Sequence, residues 1–233
     1  MEYVILNGVN SRSIRGLLIQ SLPPITKPQM RTQTEQVDGR DGDIITKLGY
    51  SAYDKEISIG LHGEYDVDDV IQFFNSEGEV TFSNEIDKFY RYSILDSIDF
   101  DKLIRFKTAK VKFHVQPFKY SAVDRIEDFN ITDETSITVF NRGNVVSKPK
   151  LTIYGSGTIN LILNDMLILV ISLGNLGFIT IDAEQMNAYQ GDTFLNRQVY
   201  GDYSDLSLKI GTNIISWTGD VERVEIENFA RWI

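Results

Sequence analysis

The chain has 233 residues, long enough for one large domain or two medium ones, and its 42% hydrophobic and 24% charged content is globular and excludes disorder. Its formal charge is −10 and both halves are acidic, which argues against gripping a nucleic-acid backbone; the absence of cysteine excludes disulfides, thiolate metal sites and a cysteine nucleophile. The opening Met1-Glu2-Tyr3-Val4-Ile5-Leu6-Asn7 shows no signal peptide, and Asn160, Asn164, Asp165, Gly174 and Asn175 interrupt the most apolar region, 159–181, so no membrane span is expected.

Along the chain the dominant pattern is alternation with period two. An early segment departs from it: polar Thr32–Gln36, then Asp38-Gly39-Arg40-Asp41-Gly42-Asp43, then Tyr50 and Tyr53. Small residues permit close backbone approach, so this segment forms either a long arm or hairpin reaching a neighbouring subunit, or a surface loop. Ile57-Ser58-Ile59-Gly60-Leu61 reads as a half-buried strand within 55–61. Val67, Val70, Ile71 and Phe74 fall at helical spacing, with Asp66 placed to cap and Asp68 and Asp69 in the first turn, which predicts a short amphipathic helix ending near Gly78.

Strands are expected at 79–82 and 89–95, then at Ala109–Val115. Phe106 is out of phase with Val111 and Phe113, so a bulge is expected over Lys107 to Ala109. The alternation lapses after Pro117, which places a domain boundary at about residue 125, giving domains 1–125 and 126–233. Beyond it, short strands near 136–140, 150–154, 158–163, 166–173, 178–182, 206–210, 213–217 and 221–228 predict an antiparallel β-sandwich. Asn164-Asp165 is expected to be a tight turn joining strands buried on both faces, and Gly155-Ser156-Gly157-Thr158 a hairpin turn. The fold class is therefore mainly β, an N-terminal α+β domain followed by a C-terminal sandwich.

Residues that could do chemistry are sparse. The chain has two histidines: His62 at a strand end and His114 on the polar face of a strand beside Lys110 and Lys112. Neither lies in a metal-binding spacing, no serine sits in a G-x-S-x-G elbow, and the 38–43 run misses the ligand order of an EF-hand. The Lys110-Lys112-His114 stripe lacks the interleaved aromatics of single-strand nucleic-acid binders. No catalytic residue, metal or cofactor is expected, and the chain is read as not an enzyme.

The stretch from Asp38 to Leu61, with Gly39, Asp41, Gly42 and Asp43 leading into Lys47-Leu48-Gly49-Tyr50 and the strand Glu56–Leu61, resembles siphophage distal tail proteins, as does the helix after it. The second half is similar in the order of Asn141-Arg142-Gly143-Asn144, Lys148 to Gly155, Ile159-Asn160-Leu161, Ile179-Thr180-Ile181-Asp182, Trp217-Thr218-Gly219-Asp220 and Val224-Glu225-Ile226. This resemblance implies a ring-forming belt domain and a galectin-like or carbohydrate-module-like sandwich, assembled as a homohexamer at the virion tail tip after synthesis in the host cytoplasm. It implies tail tube protein, tape-measure protein, tail-associated tip protein and receptor-binding protein as partners, with the genome passing through the ring without specific binding. Asp38, Gly39, Arg40, Asp41, Gly42, Asp43, Tyr50 and Tyr53 are the candidate ring-contact residues. Two other readings stay open: a carbohydrate-binding module using Tyr189, Tyr200 or Tyr203, and a tail-tip hydrolase using a pair of acids.

Overall fold

The computed structural model describes residues 2–74, 77–123, 126–131, 134–227 and 230–233. Two compact units emerge, Met1–Ala122 with Ile233, and Val123–Trp232. The boundary expected at about residue 125 falls on positions outside the described residues.

In the first unit the strands are β1 (Val4–Leu6), β2 (Val9–Asn10), β3 (Leu17–Ser21), β4 (Met30–Gln36), β5 (Asp43–Tyr50), β6 (Tyr53–Leu61), β7 (Glu77–Phe82), β8 (Lys88–Ser93) and β9 (Thr108–Ser121). Helix α1 is Val67–Phe73 and helix α2 is Phe100–Phe106. One antiparallel sheet runs β2-β1-β7-β8-β9-β6-β3, while β4 and β5 pair with each other alone as a separate two-stranded sheet. Alternation decides which face of the large sheet is dry: Ile57 sits opposite Val111 and Ile59 opposite Ala109, all buried, while Glu56 opposite Lys112 and Asp54 opposite His114 face outward. Phe82, Tyr92 and Phe113 interlock edge to face on the dry side, with ring centroids 5.8 and 5.2 Å apart at the two Phe113 contacts.

Helix α1 is capped as expected, the Asp66 side chain accepting from the Asp68 amide at 2.9 Å. It buries Val70, Phe73 and Phe74, whereas Ile71 stays exposed, so the apolar stripe is rotated from the expected one. The helix stops at Phe73, short of the expected end near Gly78, which lies in β7. The bulge expected at Lys107 is instead the end of α2, where Lys107 takes a left-handed φ of 58°. Phe106 is out of phase because it is helical.

The second unit contains β10 (Ile126–Asn130), β11 (Ser136–Asn141), β12 (Lys150–Leu163), β13 (Met166–Asp182), β14 (Asn187–Gln190), β15 (Thr193–Phe194), β16 (Val199–Gly201) and β17 (Gly211–Glu227). Hydrogen-bonded order is β10-β17-β12-β13-β14-β15, with β11 added to β17 and β16 to β13. Three expected strand pairs are thus single long strands. Each carries glycine near its middle, the ladders shift register there, and the two halves of each strand contribute to one shared core, as a sandwich requires.

Glycine at 155 and 219 is a steric necessity: a Cβ would lie 2.1 Å from the Asp220 carbonyl oxygen in the first case and 2.4 Å from that of Thr158 in the second. The segment Gly155–Thr158, expected as a hairpin turn, is therefore this bend within β12. The Asn164-Asp165 turn is present, both residues left-handed at φ 49° and 67°, which suits the twist of a two-residue hairpin. Its strands are buried on one face rather than both, since Met166 and Leu167 are exposed and Ile162 half-buried. At 206–210 there is no ladder strand; Leu206 and Leu208 reach the core from a loop bridged at Ser147.

Candidate assembly interface

The hairpin of β4 and β5 is the feature of the first unit that the core does not explain. Every residue from Arg31 to Gly49 is exposed, including Val37, Ile44, Ile45 and Leu48 at 43%, 36%, 62% and 52%. Strands of this length extend roughly 25 Å. The register runs from Met30 opposite Tyr50 to Gln36 opposite Asp43, with a slip between Arg31 and Thr32. A two-stranded hairpin without a third strand or a core is marginal in water by itself.

Asp38, Gly39, Arg40, Asp41 and Gly42 form the tip, and Asp43 begins the return strand. The tip turns through the Arg40 amide, which donates to the Val37 carbonyl at 3.1 Å, and through left-handed Gly39 and Gly42, whose missing Cβ atoms would meet only open space. Tyr50 and Tyr53 are brought together at the root. Tyr50 packs edge-on against Phe118 at 5.9 Å, and the Tyr53 hydroxyl lies 3.5 Å from the Thr26 carbonyl. The eight ring-contact candidates are thus placed at the two ends of one projecting arm.

Reasoning from sequence missed the group that holds the root. Lys55, Glu85 and Lys119 are buried, and Glu85 accepts from Lys119 Nζ at 2.7 Å and from the Tyr90 hydroxyl at 2.6 Å. Lys55 Nζ donates to the Pro24 carbonyl at 2.9 Å. Burial, opposed by the Glu85 carboxylate, lowers the Lys55 ammonium to about 8. Burial, reinforced by the bond to Glu85, pushes the Tyr90 phenol well above its ordinary range. The signal was present: Lys55 shares the phase of Ile57 and Ile59, and Lys119 that of Val111 and Phe113.

The three tyrosines considered for saccharide contact differ in exposure. Tyr189 borders a hollow of about 270 Å³ with Gln185, Asn187, Gly191, Asp192 and Phe194. Tyr200 is exposed on β16, and Tyr203 is half-buried, its hydroxyl donating to Asn196 Oδ1 at 3.2 Å. A hollow of about 480 Å³ in the first unit, between Leu6, Ile14 and Phe73, has Asp69 as its one carboxylate and Arg15 as its cation. That lining does not offer the two facing carboxyl groups of a glycosidase. His114 Nδ1 lies 2.9 Å from Asp54 Oδ1, inside a row of exposed ion pairs in which Lys112 meets Asp96 at 2.6 Å.

This architecture, a sheet unit carrying a projecting arm and a sandwich of bent strands, is similar over nearly the whole chain to solved structures of a bacteriophage hub protein and a bacteriophage baseplate. The Dit protein (gp 19.1) of phage SPP1, a paradigm of the hub adsorption apparatus in phages that infect Gram-positive bacteria, superposes with a TM-score of 0.65 at 16% identity, over 98% of this chain and 99% of that one. A chain of the phage P2 baseplate in its activated conformation with Ca matches with a TM-score of 0.53 at 12% identity, over 97% of each chain. The same baseplate with Sr gives 0.50 at 12% identity, over 96% and 97%. No family profile and no curated protein matches the sequence.

Proposed function

We propose that this chain is a structural hub of a phage tail tip: a distal tail protein that closes a homohexameric ring through the arm of its first unit and carries other tail proteins on its faces. The observation behind this reading is the arm itself. An exposed hairpin with four solvent-facing aliphatic side chains and no core of its own gains stability by lying on another surface, and the simplest such surface is the next copy in a head-to-tail ring. Similarity of nearly the whole chain to the SPP1 Dit and P2 baseplate structures supports a hub role. The tail tube, tape-measure, tip and receptor-binding proteins are then its partners, and the genome passes through the ring without being read.

The test is a photo-crosslinking amino acid placed at Ile45 in the full-length protein. Adducts joining the arm of one copy to the first unit of another are expected. Adducts confined to a single chain at every concentration would overturn the ring reading, and binding to wall polysaccharide would then become the property to measure.

A further inference from the structure

Between β3 and the arm runs a strap, residues 22–29, that contains Pro23, Pro24 and Pro28 and forms no ladder. Its carbonyls are held from outside: Pro23 by Asn84 Nδ2 at 3.1 Å, Pro24 by Lys55 Nζ at 2.9 Å, Thr26 by the Tyr53 hydroxyl at 3.5 Å and Gln29 by the Ser51 amide at 2.8 Å. Pro23 and Pro28 are themselves buried, pinning both ends of the strap.

Lys55 is the costly member of this set. Its Nζ lies 4.9, 5.6 and 5.8 Å from the ring centroids of Tyr90, Tyr53 and Phe82. The charged and titratable groups around it are Glu85 from the turn before β8, Lys119 from β9, and the phenols of Tyr53 and Tyr90; Asp87, in the same turn as Glu85, is paired with Lys88 at 2.6 Å. Each oxygen of Glu85 already accepts one bond, from Lys119 and from Tyr90, so Glu85 has a partner for its charge without Lys55. A desolvated cation whose hydrogen bond goes to a strap carbonyl is a poor source of stability, and its use lies in specifying geometry.

We propose that Lys55 is a positioning residue for the arm: by holding the Pro24 carbonyl it fixes the direction in which β4 and β5 leave the first unit. The value of that direction for ring closure rests on the assembly proposed above. The anchoring itself is a property of one chain and is tested there.

Because the chain has no cysteine, spin labels can be placed at Thr34→Cys on the arm and Lys102→Cys on α2 of the full-length protein, and the distance distribution between them measured. A narrow distribution is expected at pH 7 and one at least twofold wider in Lys55→Met, with an unfolding midpoint no lower than the parent's. Lys55→Arg, which keeps a charged donor, restores the narrow distribution. A Lys55→Met distribution as narrow as the parent's overturns the proposal. Should that variant not fold, Lys55→Leu, which also removes the donor, decides by the same reading, and a distribution as narrow as the parent's overturns it. Either negative leaves the ring reading standing, whereas a narrow distribution in a protein that never assembles refutes the ring reading alone.

Discussion

Replacing Lys55 with Met separates positioning from stability, and its energetic effect follows from the surroundings of the ammonium. Lys55 is 2% exposed, and its ammonium is lowered from 10.5 to about 8. A displacement of that size corresponds to about 3 kcal/mol by which the folded state disfavours the charge. Below pH 8 both folded and unfolded chains hold the proton and the penalty is present in full; between pH 8 and 10.5 the unfolded chain binds more protons, so stability rises with pH. Methionine has a similar length and would lie among Phe82, Tyr90 and Tyr53, while the freed Pro24 carbonyl, on an exposed residue, turns to water. Losing that bond costs about 1 kcal/mol, leaving Lys55→Met more stable by about 2 kcal/mol at pH 7. Urea unfolding of both proteins from pH 7 to 9.5 measures this, and the gap should shrink by about 2 kcal/mol over that range. A variant less stable than the parent at pH 7, with a gap that grows with pH, would refute the reasoning.

Glu85→Gln should act in the opposite sense, losing about 3–5 kcal/mol in chemical unfolding, because it leaves Lys119 buried beside a neutral partner. Gly155→Ala should cost about 3 kcal/mol, since its new Cβ meets the Asp220 carbonyl across the bend, whereas alanine at Gly39, which has open space but a φ of 83°, should cost about 1 kcal/mol; thermal melts distinguish the two. Ile45→Glu on the arm should leave the melting curve within about 0.5 kcal/mol of the parent, as befits a 62% exposed side chain. The same change should weaken self-association on the order of tenfold by sedimentation.

Strands that alternate cleanly were legible. Ile57 to Leu61 and Ala109 to Val115 pair directly, and their period of two fixed the buried face before any contact was seen. Helix α1 was legible from its cap and acids, though a seven-residue helix is too short for its apolar stripe to fix the rotation, hence the exchange of Ile71 for Phe73. Helix α2 was missed because Phe100, Leu103, Ile104 and Phe106 surround it, and of its seven residues only Leu103 is buried. Gly155 and Gly157 between apolar runs look like a turn in any local window. The role of Gly155 in a bend depends on Asp220, far along the chain.

At the candidate interface, the 38–43 glycines and acids with the polar run at 32–36 left an arm and a surface loop equally open, and the pairing of β4 with β5 decides for the arm. The holding group at the root was half legible. Lys55 and Lys119 sit in the buried phase of β6 and β9, which marks them as unusual, but Glu85 lies in a turn whose return toward them is set by the pairing of β7 with β8. Tyr189, Tyr200 and Tyr203 were grouped by residue type; the Ala188 amide beside Tyr189 and the Tyr203 hydroxyl share Asn196 Oδ1, while Tyr200 is exposed on β16.

The solution mass of the full-length protein, by light scattering across concentration and salt, alone and after mixing with tape-measure and tip proteins, tests the hub account most directly. Six copies of the 26.6 kDa chain give about 160 kDa, and particles of that mass with a central hole in negative stain are the predicted result. A protein that stays at the mass of one chain under all of these conditions would contradict it.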